Sequence, residues 1–161
     1  MRPLNLLPTS LLGSPLVSGI GRRVFPRIDT ALQRATRGRA SLTGAVGMRL
    51  LLLETTGRRS GQSRVTPLIY ATQGPDFLVV GSNWGQEHHP AWALNLLANP
   101  EAVVELANRR IPVQARRLAE DERAEVWPRL TEIWPAYDVY AERVRASSAR
   151  EIMVFHLERG A

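Results

Sequence analysis

Three arginines stand close together in the segment 55–64, which reads Thr-Thr-Gly-Arg-Arg-Ser-Gly-Gln-Ser-Arg. Guanidinium groups stay ionised and bind phosphate or carboxylate through a fork of donors, and Gly57 and Gly61 let the backbone turn and expose its amides. The pattern indicates an anion-binding loop. It does not match the phosphate-binding loop of nucleotide hydrolases, because the lysine followed by serine or threonine is missing. The alternative interpretation is a solvated hairpin tip without a ligand.

A second segment, residues 81–95, joins a polar loop to the start of a helix. Trp92 and Asn95 are three residues apart and therefore share a helical face. An aromatic ring beside an amide donor could hold a flat heterocycle, although a helical tryptophan among leucines is also typical of a core. His88 and His89 are adjacent, and without cysteine or a paired carboxylate at ligand spacing we expect no metal site.

A third group is aromatic, with Trp134, Tyr137 and Tyr140 spaced three residues apart. This spacing predicts that the three side chains lie along one side of a helix, which is typical of a core-facing stripe. The two tyrosines also have hydroxyls that need partners when buried, so the stripe could instead line a pocket for a planar substrate.

The charge is placed unevenly along the chain. All 21 basic residues are arginine, and residues 1–50 hold eight of them against Asp29 alone. The remaining 13 arginines face 14 acidic residues, so the net charge of +6 belongs to the N-terminal part. The chain has no cysteine, which excludes disulfides, thiolate nucleophiles and sulfur-ligated metal sites. This composition suits a cytoplasmic protein.

We expect residues 1–44 to form a basic extension and residues 45–161 to form one domain. The apolar stretch of the extension, residues 4–20, is interrupted by prolines, Gly13 and serines, so it resembles neither a signal peptide nor a membrane span. Residues 24–40 could form a short basic amphipathic helix on an anionic membrane surface, at the inner face of the cell membrane. A disordered solvated arm is the alternative.

The remaining chain predicts three strands, a helix, two strands, further helices and a last strand. The predicted elements are strands at 48–53, 65–72 and 77–80, a helix from Pro90 to Asn99, alternating strands over 102–106 and 111–115, a helix from Glu120 through Trp127 with a kink at Pro128, a helical stretch to Tyr140, and a strand at 152–157. Tight turns at Gly74 and at residues 108–110 predict hairpins. Strands joined by hairpins favour a small antiparallel barrel with flanking helices, an α+β fold.

Five segments follow one another in an order that points to a known family. They are Thr-Thr-Gly-Arg-Arg-Ser-Gly-Gln-Ser-Arg-Val-Thr-Pro-Leu at 55–68, Gly-Ser-Asn-Trp-Gly at 81–85, His-Pro-Ala-Trp-Ala-Leu-Asn-Leu at 89–96, Ala-Asn-Pro at 98–100 and Trp-Pro-Ala-Tyr-Asp-Val-Tyr at 134–140. Together they resemble the deazaflavin-dependent nitroreductases, the actinobacterial group of F420H2-dependent quinone reductases. The resemblance covers about residues 45–158 and implies an antiparallel, FMN-binding-like split β-barrel that binds coenzyme F420.

The resemblance also implies roles for individual residues. The phosphodiester and glutamate tail of F420 would be held at Arg58, Arg59, Gly61 and Arg64, and the deazaflavin ring would be bordered by Thr66, Pro67 and Leu68. Ser82, Asn83, Trp92 and Asn95 would complete the cofactor site, while Trp134, Tyr137 and Tyr140 would face the acceptor, with Ser82 or Tyr137 donating a hydrogen bond to it. Relatives often have lysine at the position of Asn83 and tyrosine at that of Trp134, which leaves the acceptor open.

The expected function is therefore hydride transfer from reduced F420 to a quinone, an enone or a nitroaromatic compound. A non-catalytic F420 carrier is the alternative, because the same arginines would bind the cofactor without reducing anything. Nucleic acid is not an expected partner, since the folded body is close to neutral and Phe25 is the only aromatic residue within 21–50.

Overall fold

Six antiparallel strands close into a barrel in the computed structural model, which describes residues 49–160. The strands are β1 Leu50–Thr56, β2 Ser63–Gln73, β3 Asp76–Val80, β4 Glu101–Leu106, β5 Arg109–Arg117 and β6 Val154–Arg159. They lie in the order β1-β2-β3-β6-β5-β4 around the barrel. The predicted split β-barrel with flanking helices is confirmed. The basic extension and its predicted amphipathic helix lie outside the described residues.

The hairpins form where the turn residues predict them, with one change of boundary. Gly74 has a φ of +58° between the paired ends Gln73 and Asp76, as a glycine turn requires. The β4–β5 turn is tighter than the predicted link over residues 108–110, because Ala107 and Asn108 adopt φ values of 50° and 62°. Two consecutive positive φ values close a two-residue hairpin. Arg109 and Arg110 therefore belong to β5, not to the turn.

Within residues 49–160 three α-helices flank the barrel: α1 Ala91–Ala98, α2 Glu120–Ile133 and α3 Ala136–Ser147. Pro90 directly precedes α1, and the helix ends before Pro100, consistent with the exclusion of helical conformation before proline. The acidic residues 120–122 occupy the first turn of α2, where they complement the positive end of the helix dipole. Pro128 lies inside α2 without ending it.

The prediction that Trp134, Tyr137 and Tyr140 share one helix is wrong. Helix α2 ends at Ile133, Trp134 adopts φ −139° and ψ 89°, and α3 begins at Ala136. The cause is Pro135, because the ring of a proline pushes the preceding residue out of the helical region. Only the two tyrosines remain on a common helix, one turn apart.

Two hydrophobic clusters hold the fold together on opposite sides of the sheet. Inside the barrel pack side chains such as Leu53, Phe77 and Val79, together with Trp92 of α1. The outer face of β3 and β6 instead presents Leu78 to the helices α2 and α3 and their tyrosines. Alternate residues of one strand thus serve both clusters, as the period of two in a strand requires. Helix α1 packs with the barrel interior, and α2 and α3 cover the outside.

The last strand begins and ends two residues later than predicted. Ile152 and Met153 are buried, but β6 begins at Val154. The carbonyl of Met153 accepts a hydrogen bond from the Gly81 amide at 2.8 Å, so this residue pairs with the loop that follows β3. Apolar character alone did not distinguish a buried connection from a strand.

Candidate functional site: a cleft beside the β1–β2 loop

The loop between β1 and β2 has a compact backbone that depends on glycine. The Gly57 amide donates to the Gln62 carbonyl at 2.8 Å, and the Gly61 amide donates to the Gly57 carbonyl at 2.7 Å. A Cβ atom on Gly57 would lie 2.8 Å from Ser60 Oγ and 3.1 Å from the Gln62 carbonyl oxygen. Gly61 has a φ of +67°, which side chains rarely adopt. The two glycines of the predicted anion-binding loop therefore set its shape.

Asn95 attaches this loop to α1. Its Oδ1 accepts a hydrogen bond from the Arg58 backbone amide at 3.1 Å, and its Nδ2 donates to Thr55 Oγ1 at 3.1 Å. Asn95 and Thr55 are 4% and 1% exposed, so losing either contact would leave a buried polar group without a partner. The asparagine fixes the backbone from which the first loop arginine projects.

A cleft of about 390 Å³ opens between this loop, the start of β2 and α1. Its lining residues are Gly57, Arg58, Arg59, Ser60, Arg64, Val65, Thr66, Ala91, Trp92 and Asn95. Six of the predicted site residues meet here, namely Arg58, Arg59, Arg64, Thr66, Trp92 and Asn95. The two segments singled out in the sequence, 55–64 and 81–95, therefore contribute to one cleft.

The cleft has a surplus of positive charge. Its lining contains three arginines and no acidic residue, and within residues 49–160 none of these arginines forms an ion pair with a carboxylate. Arg64 Nη2 donates to the neutral Gln62 Oε1 at 3.1 Å. All three residues are exposed. Unneutralised guanidinium groups beside a concave surface attract anions.

Glu54, an acidic residue on the strand before the loop, already has partners. Its carboxylate accepts hydrogen bonds from Ser63 Oγ at 2.7 Å and from Arg110 Nη2 at 2.8 Å. These donors, Ser63 first, hold the pKa of Glu54 below its ordinary value. The carboxylate is thus bound at the base of the hairpin and does not neutralise the cleft arginines.

Trp92 combines the two interpretations that its sequence position left open. The residue is 6% exposed and packs edge to face with Phe155 inside the barrel, with ring centroids 5.7 Å apart. It also lines the cleft. Most of the indole therefore belongs to the core, and the remainder forms part of the cleft wall.

Five other predicted cofactor residues do not line the cleft. Gly61 lies at the loop tip, Pro67 and Leu68 continue β2 beyond Thr66, and Ser82 and Asn83 follow β3. Leu68 packs against the barrel core. The loop after β3 approaches the first turn of α1, since a Cβ on Gly81 would lie 3.7 Å from Ala93 Cβ. These five residues are not part of the cleft wall, and their contact with a cofactor stays a prediction.

The loop after β3 contains three consecutive residues with positive φ, Asn83 at 48°, Trp84 at 57° and Gly85 at 72°. For residues other than glycine this conformation costs of order 1–3 kcal/mol each and persists where surrounding contacts impose it. Asn83 Nδ2 donates to the His88 carbonyl at 2.9 Å. A Cβ on Gly85 would lie 3.2 Å from Tyr140, so the turn packs tightly on α3.

The predicted acceptor residues lie under this turn. Tyr137 and Tyr140 are 5% and 1% exposed, and Trp84 contacts Tyr140 with ring centroids 6.3 Å apart. Burial raises the pKa of the Tyr137 hydroxyl well above its ordinary value. Trp134 is half-buried against the same cluster. None of the three lines the cleft, and their contact with an acceptor stays a prediction.

Four lining residues were not among the predicted cofactor-binding residues, although Gly57 was predicted as a turn residue of the loop: Gly57, Ser60, Val65 and Ala91. Helical spacing would have identified Ala91, because it stands four residues before Asn95 on the same face. Val65 lies between Arg64 and Thr66, so strand alternation would have placed it on the opposite face from them. The cleft lies where the strand meets the loop, and this geometry is not readable from the spacing.

Two classes of feature are absent from residues 49–160. No group of three or more histidine, cysteine or acidic side chains in this range could hold a metal ion. No helix in the same range is long and apolar enough to cross a membrane.

Comparison with known proteins identifies the family of this chain. A relative from Mycobacterium tuberculosis named as an F420H(2)-dependent quinone reductase is 40% identical over 88 residues, covering 55% of this chain and 74% of the relative. A second F420H(2)-dependent quinone reductase of that organism, Rv1261c, is 34% identical over 103 residues, covering 63% of this chain and 69% of the relative.

A solved structure gives the same result at the level of the fold. The F420-H2 dependent reductase FDR-A is 33% identical to this chain and superimposes with a TM-score of 0.60. The match covers 68% of this chain and 93% of FDR-A. The family model for F420H(2)-dependent quinone reductases matches residues 25–158. The chain belongs to the F420H(2)-dependent quinone reductase family.

Proposed function

We propose that this protein oxidises reduced coenzyme F420 and passes the hydride to a quinone. The observation that supports this most directly is the cleft with three arginines, no acidic lining residue and no carboxylate partner for those arginines among residues 49–160. Enones and nitroaromatic compounds are the further acceptor classes, since both are electron-poor and planar. The family match and the names of the relatives favour a quinone.

The residues of the cleft suit the cofactor chemically. F420 has a tail with a phosphodiester and several glutamates, which needs several cations spread over a length. Arg58, Arg59 and Arg64 supply these charges from two sides of one loop. Guanidinium groups bind both phosphate and carboxylate through paired donors. Three arginines that have no carboxylate partner within residues 49–160 favour an anionic ligand over a neutral or cationic one.

In this proposal the chain holds the cofactor and orients the acceptor. The three arginines bind the tail, and Thr66, Pro67 and Leu68 of β2 border the ring together with the exposed edge of Trp92. Asn95 acts through the protein, because both of its polar groups are engaged by Arg58 and Thr55. When bound, the reduced deazaflavin supplies the hydride, which is the cofactor's own chemistry.

The acceptor develops negative charge on oxygen as it is reduced, and the protein stabilises that charge with a hydrogen-bond donor. Ser82 Oγ is half-buried next to the start of α1 and is the first candidate. Tyr137 is the second. Because burial raises the pKa of its hydroxyl, Tyr137 stays protonated through the physiological range and can donate but not act as a base. Tyr140 and Trp134 would shape the acceptor side.

Steady oxidation of F420H2 with menadione as acceptor tests this proposal, followed by the return of the visible absorbance of oxidised F420. The expected result is multiple turnovers with the full chain and loss of turnover when Arg58, Arg59 and Arg64 are all replaced by glutamine. Arg145→Gln is the matched control, because Arg145 is exposed on α3 away from the cleft lining. Tight binding of F420 without turnover would support the carrier alternative instead.

We further propose that the basic extension brings the enzyme to a membrane that holds a lipid-borne quinone. Residues 1–44 have seven arginines against one acidic residue, and each contact with an anionic surface is worth about 1 kcal/mol. Replacing Arg22, Arg23, Arg27 and Arg34 with glutamine in the full chain should weaken sedimentation with anionic vesicles and leave menadione turnover intact. Unchanged vesicle binding would contradict this location.

A further inference from the structure

Arg150 lies in the connection between α3 and β6. Its guanidinium contacts backbone carbonyls at both the beginning and the end of the turn after β3. Its Nε donates to the Gln86 carbonyl at 2.7 Å, its Nη2 to the Ser82 carbonyl at 2.7 Å and its Nη1 to the Gly81 carbonyl at 3.3 Å. One planar guanidinium therefore joins three carbonyls of residues 81–86, which are more than 60 positions away in the chain.

This guanidinium is partly withdrawn from water and is compensated by dipoles, not by an acid. Burial lowers the pKa of Arg150 from its ordinary value, although an arginine remains ionised. The neighbouring carboxylate, Glu151, is bound by Arg117 at 3.1 Å and by Arg123 at 2.8 Å. A partly buried cation that donates to three carbonyls of one backbone segment is a means of fixing that segment.

The segment requires such a restraint because it is strained. Residues 83–85 all have positive φ, and Ser82 stands directly before them. Further contacts come from Arg143 Nη1, which donates to the Trp84 carbonyl at 3.2 Å, and from the Gly81 amide, which donates to Met153. Arg150 differs from these in joining the beginning of the turn to its end, so it fixes the curvature and hence the position of Ser82.

His89 completes the arrangement. Its Nδ1 lies 3.4 Å from Arg150 Nη1. A guanidinium has only donors, so Nδ1 must be the acceptor and the ring proton must be on Nε2. His89 is therefore neutral in this arrangement. Burial, followed by the charges of Arg150 and Arg117, holds the pKa of His89 below 6.5.

We propose that Arg150 is a positioning residue that holds the turn at residues 81–86, and through it Ser82, and that His89 supports this clamp only as the neutral imidazole. The proposal rests on the proposed function in one respect, namely that Ser82 acts on the acceptor. The charged groups near His89 are Arg150, Arg117 at the end of β5 and Glu151, with Glu87 and His88 exposed on its own segment.

Hydrogen exchange of the cofactor-free protein tests the clamp without any activity. In Arg150→Gln the amides of residues 81–89 should exchange at least about tenfold faster than in the parent, while the amides of the β1–β2 loop should not change. Arg150→Lys should give an intermediate rate, because an ammonium donates from a single point. Arg145→Gln is the control. An unchanged rate in 81–89 in a folded Arg150→Gln would overturn the proposal.

Kinetics test whether the clamp positions the site. Since the arginine loop is untouched, Arg150→Gln should bind F420 within about twofold of the parent, whereas kcat with menadione should fall about tenfold or more, with partial rescue in Arg150→Lys. Faster exchange with unchanged kcat would overturn the positioning role. Failure of the proposed function would appear differently, as absence of F420 binding in the parent protein itself.

The histidine gives a pH dependence with a definite sign. Burial and the neighbouring charges lower the pKa of His89, so the contact of its neutral imidazole with Arg150 is complete above about pH 6.5. It is lost as pH falls through the lowered pKa, because the imidazole then becomes protonated. The exchange rates of the amides of residues 81–89, corrected for intrinsic rates, should therefore increase as the pH is lowered from about 8 to about 5.5. His89→Gln keeps an acceptor that cannot be protonated and should abolish the increase, whereas His88→Gln should preserve it. An increase of the same size in His89→Gln would refute the role of His89.

Discussion

Arginines at the cleft and arginines between β5 and α2 have the same side chain but different partners. On the outer face, Arg116 binds Glu122 at 2.8 Å, and Arg117 and Arg123 both bind Glu151. At the cleft, Arg58, Arg59 and Arg64 have no carboxylate partner among the described residues. The first group joins strands to helices, and the second group is available to a ligand. Local pairing, and not total charge, distinguishes a binding surface from an internally neutralised one.

Charge reversal should separate the two groups most strongly. Arg59→Glu combined with Arg64→Glu should weaken F420 binding at least about 100-fold, or about 2.8 kcal/mol, because two attractions become repulsions. Arg116→Gln should leave the affinity unchanged, since this arginine is occupied by Glu122 and Glu158. Both affinities can be measured by quenching of F420 fluorescence. A measurable loss of affinity in Arg116→Gln would mean that binding follows overall charge.

The attachment of the loop to α1 should have the next largest effect. Asn95→Ala removes the partners of the Arg58 amide and Thr55 Oγ1, which should lower the free energy of unfolding by about 1–3 kcal/mol and weaken F420 binding about tenfold. Urea unfolding and the F420 titration measure the two quantities. Leu97→Ala is the control, since Leu97 is 51% exposed on the same helix. Lost affinity with unchanged stability would instead make Asn95 a direct ligand.

The smallest expected effect concerns Glu54. Its pKa is lowered by Ser63 and Arg110, so the stability that it contributes is present above about pH 4.5 and is lost as pH falls through the lowered value. The side chain is partly exposed, so water screens the effect. Thermal unfolding of Glu54→Gln should depend less on pH below 4.5 than that of the parent. An identical acid dependence in both proteins would show that the contacts of Glu54 with Ser63 and Arg110 contribute nothing to stability.

Local features of the sequence were sufficient for the hairpins and for most of the strands and helices. Turn residues such as Gly74 and the alternation around Val104 predicted the hairpins. The cluster at residues 58–64 predicted arginines that share one cleft, and anion binding there stays a prediction. These features depend on neighbours in the chain. The break at Trp134 was also readable, because Pro135 follows it, yet the spacing of the aromatic residues suggested one continuous helix.

Features that depend on distant parts of the chain could not be predicted in this way. Asn95 meets Thr55 across 40 positions, and Arg150 meets Ser82 across 68. No pattern around Ser148 to Glu151 distinguishes Arg150 from a solvated arginine. The tertiary contacts among β5, α2 and the connection before β6 determine which of their arginines form ion pairs with carboxylates. The local sequence does not contain this information.

We expect the cleft arginines to bind the acidic tail of F420. A titration that compares F420 with the deazaflavin fragment lacking the phosphate and glutamates tests it most directly, because both ligands have the same ring. F420 should bind at least about 100-fold more tightly than the fragment, and this advantage should disappear in Arg58→Gln/Arg59→Gln/Arg64→Gln. Equal affinity for the two ligands in the parent protein would contradict it.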